Sequence, residues 1–232
     1  MPFVDNNGVN IHYEVIGSGP PVIVGHGLFG SIKFLKARGW VGILSQDFQL
    51  VIPEIRAHGQ SDTPSDATQY SLKHRMSDVI AVMDDVGIDK APYFGYSMGG
   101  LIGFGLAGNS ESRFNSFILG GAIPYPKDLS RVKTVVNDRR AQGLAPEDFD
   151  LTPFFAILDH DEEGTGADPT LIQKPCLYFY GGADYEIKEA RQVAQLLPNS
   201  EYLELPGLGH RDAFEPSDDL VPTVQRFLRE HA

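Results

Sequence analysis

Six short apolar runs punctuate the chain: PVIVGHG at 21–27, FQLVIPEI at 48–55, APYFGYS at 91–97, FNSFILGG at 114–121, PCLYFYGG at 175–182 and SEYLELPG at 200–207. Several are apolar at successive positions, so both faces must be buried, as in strands of a parallel sheet covered by helices. Helix-like stretches lie between them. The clearest begins at Ser71 as N-cap, carries Leu72, Met76, Val79, Ile80, Met83 and Val86 at spacings of three and four, and stops at Gly87. Others are expected from about Met98 to Ala107, Glu186 to Leu197 and Ser217 to Arg229. The order strand, helix, strand demands a mostly parallel sheet with right-handed crossovers. Ahead of it, Val9, Ile11, Tyr13 and Val15 alternate with polar residues after the turn Asn6-Asn7-Gly8, which reads as an opening β-hairpin.

One segment breaks the rhythm. From about Tyr125 to Gln173 the chain is polar or irregular, with a helix expected through LSRVKTVVNDRR and then the acidic DHDEEGTGADP. A departure of that length between core strands is usually functional or disordered rather than a neutral connector, and it reads here as a lid. The expected organisation is therefore a core of residues 1–124 and 174–232 with a short lid at 125–173. Asp159, His160, Asp161, Glu162 and Glu163 read as a solvated acidic loop.

The formal net charge of -12 repels phosphate backbones and anionic lipid, so neither a nucleic acid nor a membrane is an expected partner. The one cysteine, Cys176, lies in an apolar run and is expected to be a buried, inert thiol. The start, MPFVDNNGVNIHY, lacks a basic region followed by an apolar one, and no apolar stretch reaches ~18 residues. The cytoplasm is the expected compartment.

The chemistry is concentrated at GYSMGG. Gly95-Tyr96-Ser97-Met98-Gly99 fits G-x-S-x-G and sits between an apolar run and a helix, as a nucleophile elbow requires. So tight a turn leaves no room for side chains two residues either side of the serine, hence the glycines. A serine hydroxyl is a poor nucleophile unless a base removes its proton, so a histidine and an acid must follow. Asp184 comes just after PCLYFYGG and His210 just after SEYLELPG, in the order serine, acid, histidine, on loops at the same sheet edge. Met98 opens a helix, and its backbone N–H is the first expected oxyanion donor. The second is expected from His26-Gly27-Leu28-Phe29-Gly30, with the Leu28 N–H preferred over that of Phe29. His26 precedes the serine in the chain and reads as a loop brace.

The sequence resembles the α/β-hydrolase superfamily, and more narrowly the serine-nucleophile branch that includes 3-oxoadipate enol-lactonases and bacterial carboxylesterases. The hairpin, HGLFG, IPEIRAHGQSDTP, SLKHRMSDVIAVMDDVGI, GYSMGG, GGAD and GLGH carry the likeness. It implies an α/β fold with a mostly parallel eight-stranded sheet and a helix-bearing lid between the sixth and seventh strands. Two departures stand out: Glu54 where many relatives carry aspartate, and Ala57 where glycine is common.

The remaining clusters have plainer readings. Arg56, His58, Ser61 and Asp62 read as a hydrogen-bonded loop supporting the His26 turn. His210 and Asp212 lack a third metal ligand at a recognised spacing, and G-x-G-x-x-G is absent, so no metal and no cofactor is expected. The expected reaction is acyl transfer from a small ester or lactone to water. Hydrolysis of a carbon–carbon bond in a β-diketone-like substrate, or a receptor that binds without turnover, uses the same serine scaffold. An elbow serine argues against dehalogenase and epoxide-hydrolase chemistry, which in this superfamily uses aspartate there. Phe29, Tyr125, Phe149, Phe154 and Phe155 are the residues expected to line the substrate pocket. Arg131, Arg139, Arg140 or Arg211 would be needed to admit an anion into so acidic a protein.

Overall fold

A computed structural model describes residues 2–141 and 150–232. Their strands are β1 (Phe3–Asp5), β2 (Asn10–Ile16), β3 (Pro21–Gly25), β4 (Gln49–Pro53), β5 (Ala91–Tyr96), β6 (Phe114–Gly120), β7 (Cys176–Gly181) and β8 (Ser200–Leu205). They form one sheet of eight in the order β1-β2-β4-β3-β5-β6-β7-β8. β2 pairs antiparallel with β1 and β4, and every other pairing is parallel. The opening hairpin and all six apolar runs thus became the strands expected of them.

The helices are α1 (Ile32–Ala37), α2 (Trp40–Leu44), α3 (Leu72–Val86), α4 (Met98–Asn109), α5 (Ser130–Ala141), α6 (Thr152–Asp161), α7 (Ile187–Leu196) and α8 (Leu220–His231). They cover both faces of the sheet, and the strands feed the two sides alternately. Ile23, Val51, Tyr93, Leu119 and Tyr178 pack toward α3, α4 and α7. Val22, Leu50, Phe94, Ile118 and Phe179 pack toward α1, α2 and α8. This period of two, with apolar residues at both phases, is why the runs read as continuous. Cys176 lies within the first cluster, and burial pushes its thiol well above the usual range. No helix of the described residues is long and apolar enough to cross a membrane.

Boundaries differ where capping chemistry intervenes. Ser71 occupies the N-cap of α3, but its hydroxyl meets His74 Nδ1 at 2.8 Å instead of a backbone N–H. Gly87 closes that helix in the left-handed conformation at φ 77°. α8 begins at Leu220 and not Ser217, because the Ser217 hydroxyl accepts the Leu220 N–H at 3.2 Å from outside the helix. α1 and α2, of six and five residues, are too short to show a helical period and had no sequence signal.

The segment between β6 and β7 holds the largest correction. α6 extends into the stretch expected to be a solvated acidic loop. Asp161 is buried and pairs at 2.5 Å with Nη2 of Arg75, which is itself fully buried on α3. Asp159 and Glu162 both meet Lys133 at 2.8 Å, joining α6 to α5. Leu129, Val136, Leu151, Phe154 and Leu158 form a small separate apolar cluster there.

Candidate active site

The elbow is a consequence of three local facts. Ser97 ends β5 with its N–H bound to Gly120 O at 2.8 Å, while its own carbonyl accepts the first backbone bond of α4, from Leu101 at 2.9 Å. Meeting both demands puts Ser97 at φ 57°, ψ -117°, a conformation a serine adopts only under constraint. The flanking glycines make the turn possible: a Cβ on Gly95 would lie 2.3 Å from Gly99 O, and one on Gly99 would lie 2.6 Å from Gly25 O.

Asp184 and His210 arrive from the ends of β7 and β8. The Ala183 N–H donates to Leu208 O at 2.9 Å, which fixes the two loops against each other. His210 Nε2 stands 3.0 Å from Ser97 Oγ, and His210 Nδ1 stands 2.8 Å from Asp184 Oδ2. A buried carboxylate can only accept, so Nδ1 carries the proton and Nε2 is left to accept from the serine hydroxyl. Asp184 is 4% exposed, and its other oxygen accepts the Glu186 N–H at 3.4 Å. Behind the histidine, the Tyr96 hydroxyl donates to the His210 carbonyl at 2.5 Å. The Tyr96 ring is stacked on Phe214 and Phe179. Burial and then the Asp184 charge push its phenol far up, so it stays a donor.

The Gly30 N–H donates to Gly27 O at 2.8 Å, closing a turn in which Phe29 takes φ 61°. That turn abuts the elbow, since a Cβ on Gly27 would lie 3.5 Å from Ser97 Cβ. Neither the Leu28 nor the Met98 backbone N–H has an acceptor among the described residues. His26 braces the loop: its Nδ1 donates to Gly27 O at 2.9 Å and its Nε2 accepts the Ile55 N–H at 3.1 Å. It is buried, and desolvation lowers its pKa, keeping the ring neutral for both roles. Next to it, desolvation and then the proximity of His26 push His58 down to about 3.

The 54–62 loop behind this turn is structural. Arg56 is buried and clamps Asp78 with Nε at 2.9 Å and Nη2 at 2.6 Å. Glu54 accepts from the Ile32 and Gln60 N–H groups at 2.9 and 2.7 Å and meets His12 Nδ1 at 2.9 Å. Its extra methylene over aspartate lets one carboxylate tie α1 to β2. Ala57 sits at φ 68°, the left-handed conformation that explains why glycine is common in relatives. No group of three or more metal-ligating side chains occurs among the described residues.

A cavity of about 590 Å³ opens over Ser97 and His210. Phe29 lines it, as expected, but three aromatic assignments need correction. Phe154 is buried behind Phe29, stacked on it at 4.4 Å; Phe155 packs in the cluster of α5 and α6; and Tyr125 packs against the core. None of the three is on the cavity wall, and Phe149 lies outside the described residues. The apolar wall is made instead by Leu129, just before α5, by Val132 and Val136 on α5 and by Leu158 on α6. The 3.6-residue period of α5 in LSRVKTVV could have signalled the valines; nothing local signalled Leu158. Arg131 and Arg211 line the cavity, whereas the side chains of Arg139 and Arg140 lie outside the described residues. Tyr185 also lines it and had no sequence signal.

A strand-ordered sheet of this topology with an elbow serine, an acid after β7 and a histidine after β8 defines the α/β-hydrolase class. The alpha/beta hydrolase fold family matches residues 20–136, and the chain belongs to it. An epoxide hydrolase of Caballeronia sordidicola is 26% identical over 78% of this chain and 52% of its own length. The chain spans about half of that relative, and 31% of an epoxide hydrolase of Siraitia grosvenorii with 27% identity over 43% of this chain. Among solved structures, the enol-lactonase from Burkholderia xenovorans LB400 superimposes with TM-score 0.78 at 23% identity, over 98% of this chain and 100% of that one. A carboxylesterase structure from Nitrososphaera gargenis gives TM-score 0.84 at 17% identity, over 99% and 98%. At such identities these structures establish the fold alone.

Proposed function

We propose that the protein is a serine hydrolase that cleaves a carboxylic ester or lactone of a small molecule through an acyl-enzyme. The single observation that carries this reading is the continuous relay of 3.0 Å from Ser97 Oγ to His210 Nε2 and 2.8 Å from His210 Nδ1 to Asp184. His210 takes the serine proton as Oγ attacks the carbonyl carbon, and Asp184 stabilises the imidazolium. The backbone N–H groups of Leu28 and Met98, both without an acceptor among the described residues, hold the oxyanion. His210 then protonates the leaving alcohol, and water repeats the sequence to release the acid. Residues 125–173 act as a lid, bringing the apolar wall over the serine; the setting is the cytoplasm. The epoxide hydrolases among the relatives do not redirect the proposal, because the elbow residue here is serine. Conversion of Ser97 to alanine is expected to lower kcat/KM on short-chain esters by roughly 10⁴-fold or more; activity retained within tenfold by a folded Ser97→Ala protein overturns it.

A further inference from the structure

Among the described residues, four cationic side chains line the cavity of this acidic protein: Arg38, Lys127, Arg131 and Arg211. Two are neutralised within the fold. Arg38 is paired with Glu215, and Lys127 meets Glu186 at 2.9 Å. The carboxylate of Asp161 on the same wall is taken up by Arg75. Arg131 and Arg211 have no carboxylate partner among the described residues, leaving the exposed Asp138 as the one uncompensated acid on the lining.

The position of these two charges is asymmetric. Arg211 directly follows His210 in the chain. The Arg131 guanidinium lies 5.8 Å over the ring of Tyr185, and that ring lies 5.8 Å from the His210 imidazole. Arg211 also acts on Arg38, whose pKa is lowered first by burial and then by the Arg211 charge. Asp212 opposes that effect on Arg38, and the two unpaired guanidinium groups leave a positive wall on which an incoming anion is favoured. Because His210 must hand its proton to the departing oxygen, its flank is the leaving-group side. The apolar wall of Leu129, Val132 and Val136 remains for the rest of the substrate.

We propose that Arg131 and Arg211 recognise a carboxylate on the leaving alcohol, so that the substrate is an ester of a hydroxycarboxylic acid. This rests on the ester-hydrolase reading and narrows it. In the reaction the acyl carbon–oxygen bond breaks, the hydroxy acid's oxygen takes the proton from His210, and water supplies the oxygen and proton that complete the carboxylic acid and restore Ser97. Arginine is suited to the task because its fork meets a carboxylate with two parallel N–H donors.

The test compares three matched esters: the butyryl ester of 3-hydroxybutyrate with its carboxylate free, the same ester capped as its methyl ester, and a succinate monoester that carries the free carboxylate on the acyl half instead. The quantity read is the ratio of kcat/KM values, in which a general loss of competence cancels. Wild-type protein is expected to prefer the free hydroxy-acid ester over both others by roughly tenfold or more, a charge-assisted hydrogen bond being worth about that factor. Arg131→Gln and Arg211→Gln are each expected to lower the ratio about tenfold through KM, and Arg211→Lys to restore part of it. Equal or inverted preference in wild type, or a ratio unmoved in both glutamine variants, overturns the proposal while leaving ester hydrolysis standing. Preference for the acyl-side carboxylate also overturns it. Hydrolysis of none of the three by protein that reacts with a fluorophosphonate overturns it with the hydrolase intact; absence of that reaction as well overturns the hydrolase reading beneath it.

Discussion

Replacing Asp161 with alanine removes the partner of a guanidinium that has nowhere to go. Arg75 is fully buried, with Nε bound to the Tyr70 carbonyl at 3.0 Å, Nη2 on Asp161 at 2.5 Å and Nη1 without a hydrogen-bond partner among the described residues. The variant leaves a buried cation with one hydrogen bond. Losing one member of a buried pair costs roughly 3–5 kcal/mol, against about 0–1 kcal/mol for an exposed pair. For a chain of this length about 1 kcal/mol moves the midpoint by roughly 2–4 °C, so the expected fall in Tm is about 6–20 °C. Thermal unfolding followed by far-ultraviolet circular dichroism, with urea unfolding in parallel, measures it. The double variant Arg75→Met, Asp161→Leu should recover most of the loss, since an apolar pair of similar volume replaces the charges. A single variant within about 1 kcal/mol of wild type would refute the reasoning and return Asp161 to the solvent.

Two further outcomes follow from named contacts. His58 is buried and held down to about 3, so the folded state stays neutral there while the unfolded state takes up a proton near pH 6.5. Stability must therefore fall as pH drops from about 6.5 toward 3, by about 1.4 kcal/mol per pH unit from this group, with His26 acting in the same direction. A His58→Gln variant that unfolds with the wild-type pH slope in that window contradicts this. Tyr96→Phe deletes the hydroxyl that holds the His210 carbonyl, and kcat should fall about tenfold with KM little changed, measured on any ester the wild type turns over.

The strands, and the convergence of Ser97, His210 and Asp184, were legible because each is written in a local pattern. The run at 91–97 alternates Tyr93 and Phe94 into opposite faces, and Gly95 is required by the carbonyl of Gly99 four residues on, whereas Gly99 is required by the backbone of Gly25 on the neighbouring strand. Asp184 and His210 were found because strand ends converge on one edge of a parallel sheet whatever the helices do. The apolar cavity wall was not legible. Phe154 is as apolar as Val132, and which of them faces the cavity depends on how α5 and α6 roll over the core, a property of packing and not of composition. Asp161 was misread for the same reason: its partner Arg75 is 86 residues away, and charge density alone cannot distinguish a buried pair from a solvated face. Ala57 ran the other way, since its departure from glycine was visible in the sequence and its left-handed backbone supplied the reason.

Incubation with a fluorophosphonate probe, followed by intact mass and peptide mapping, tests the central claim most directly. One adduct on Ser97, lost in Ser97→Ala and strongly slowed in His210→Ala, is the predicted result. Folded wild-type protein that takes no label, or takes it on another residue, would contradict the assignment of Ser97, His210 and Asp184 as a working triad.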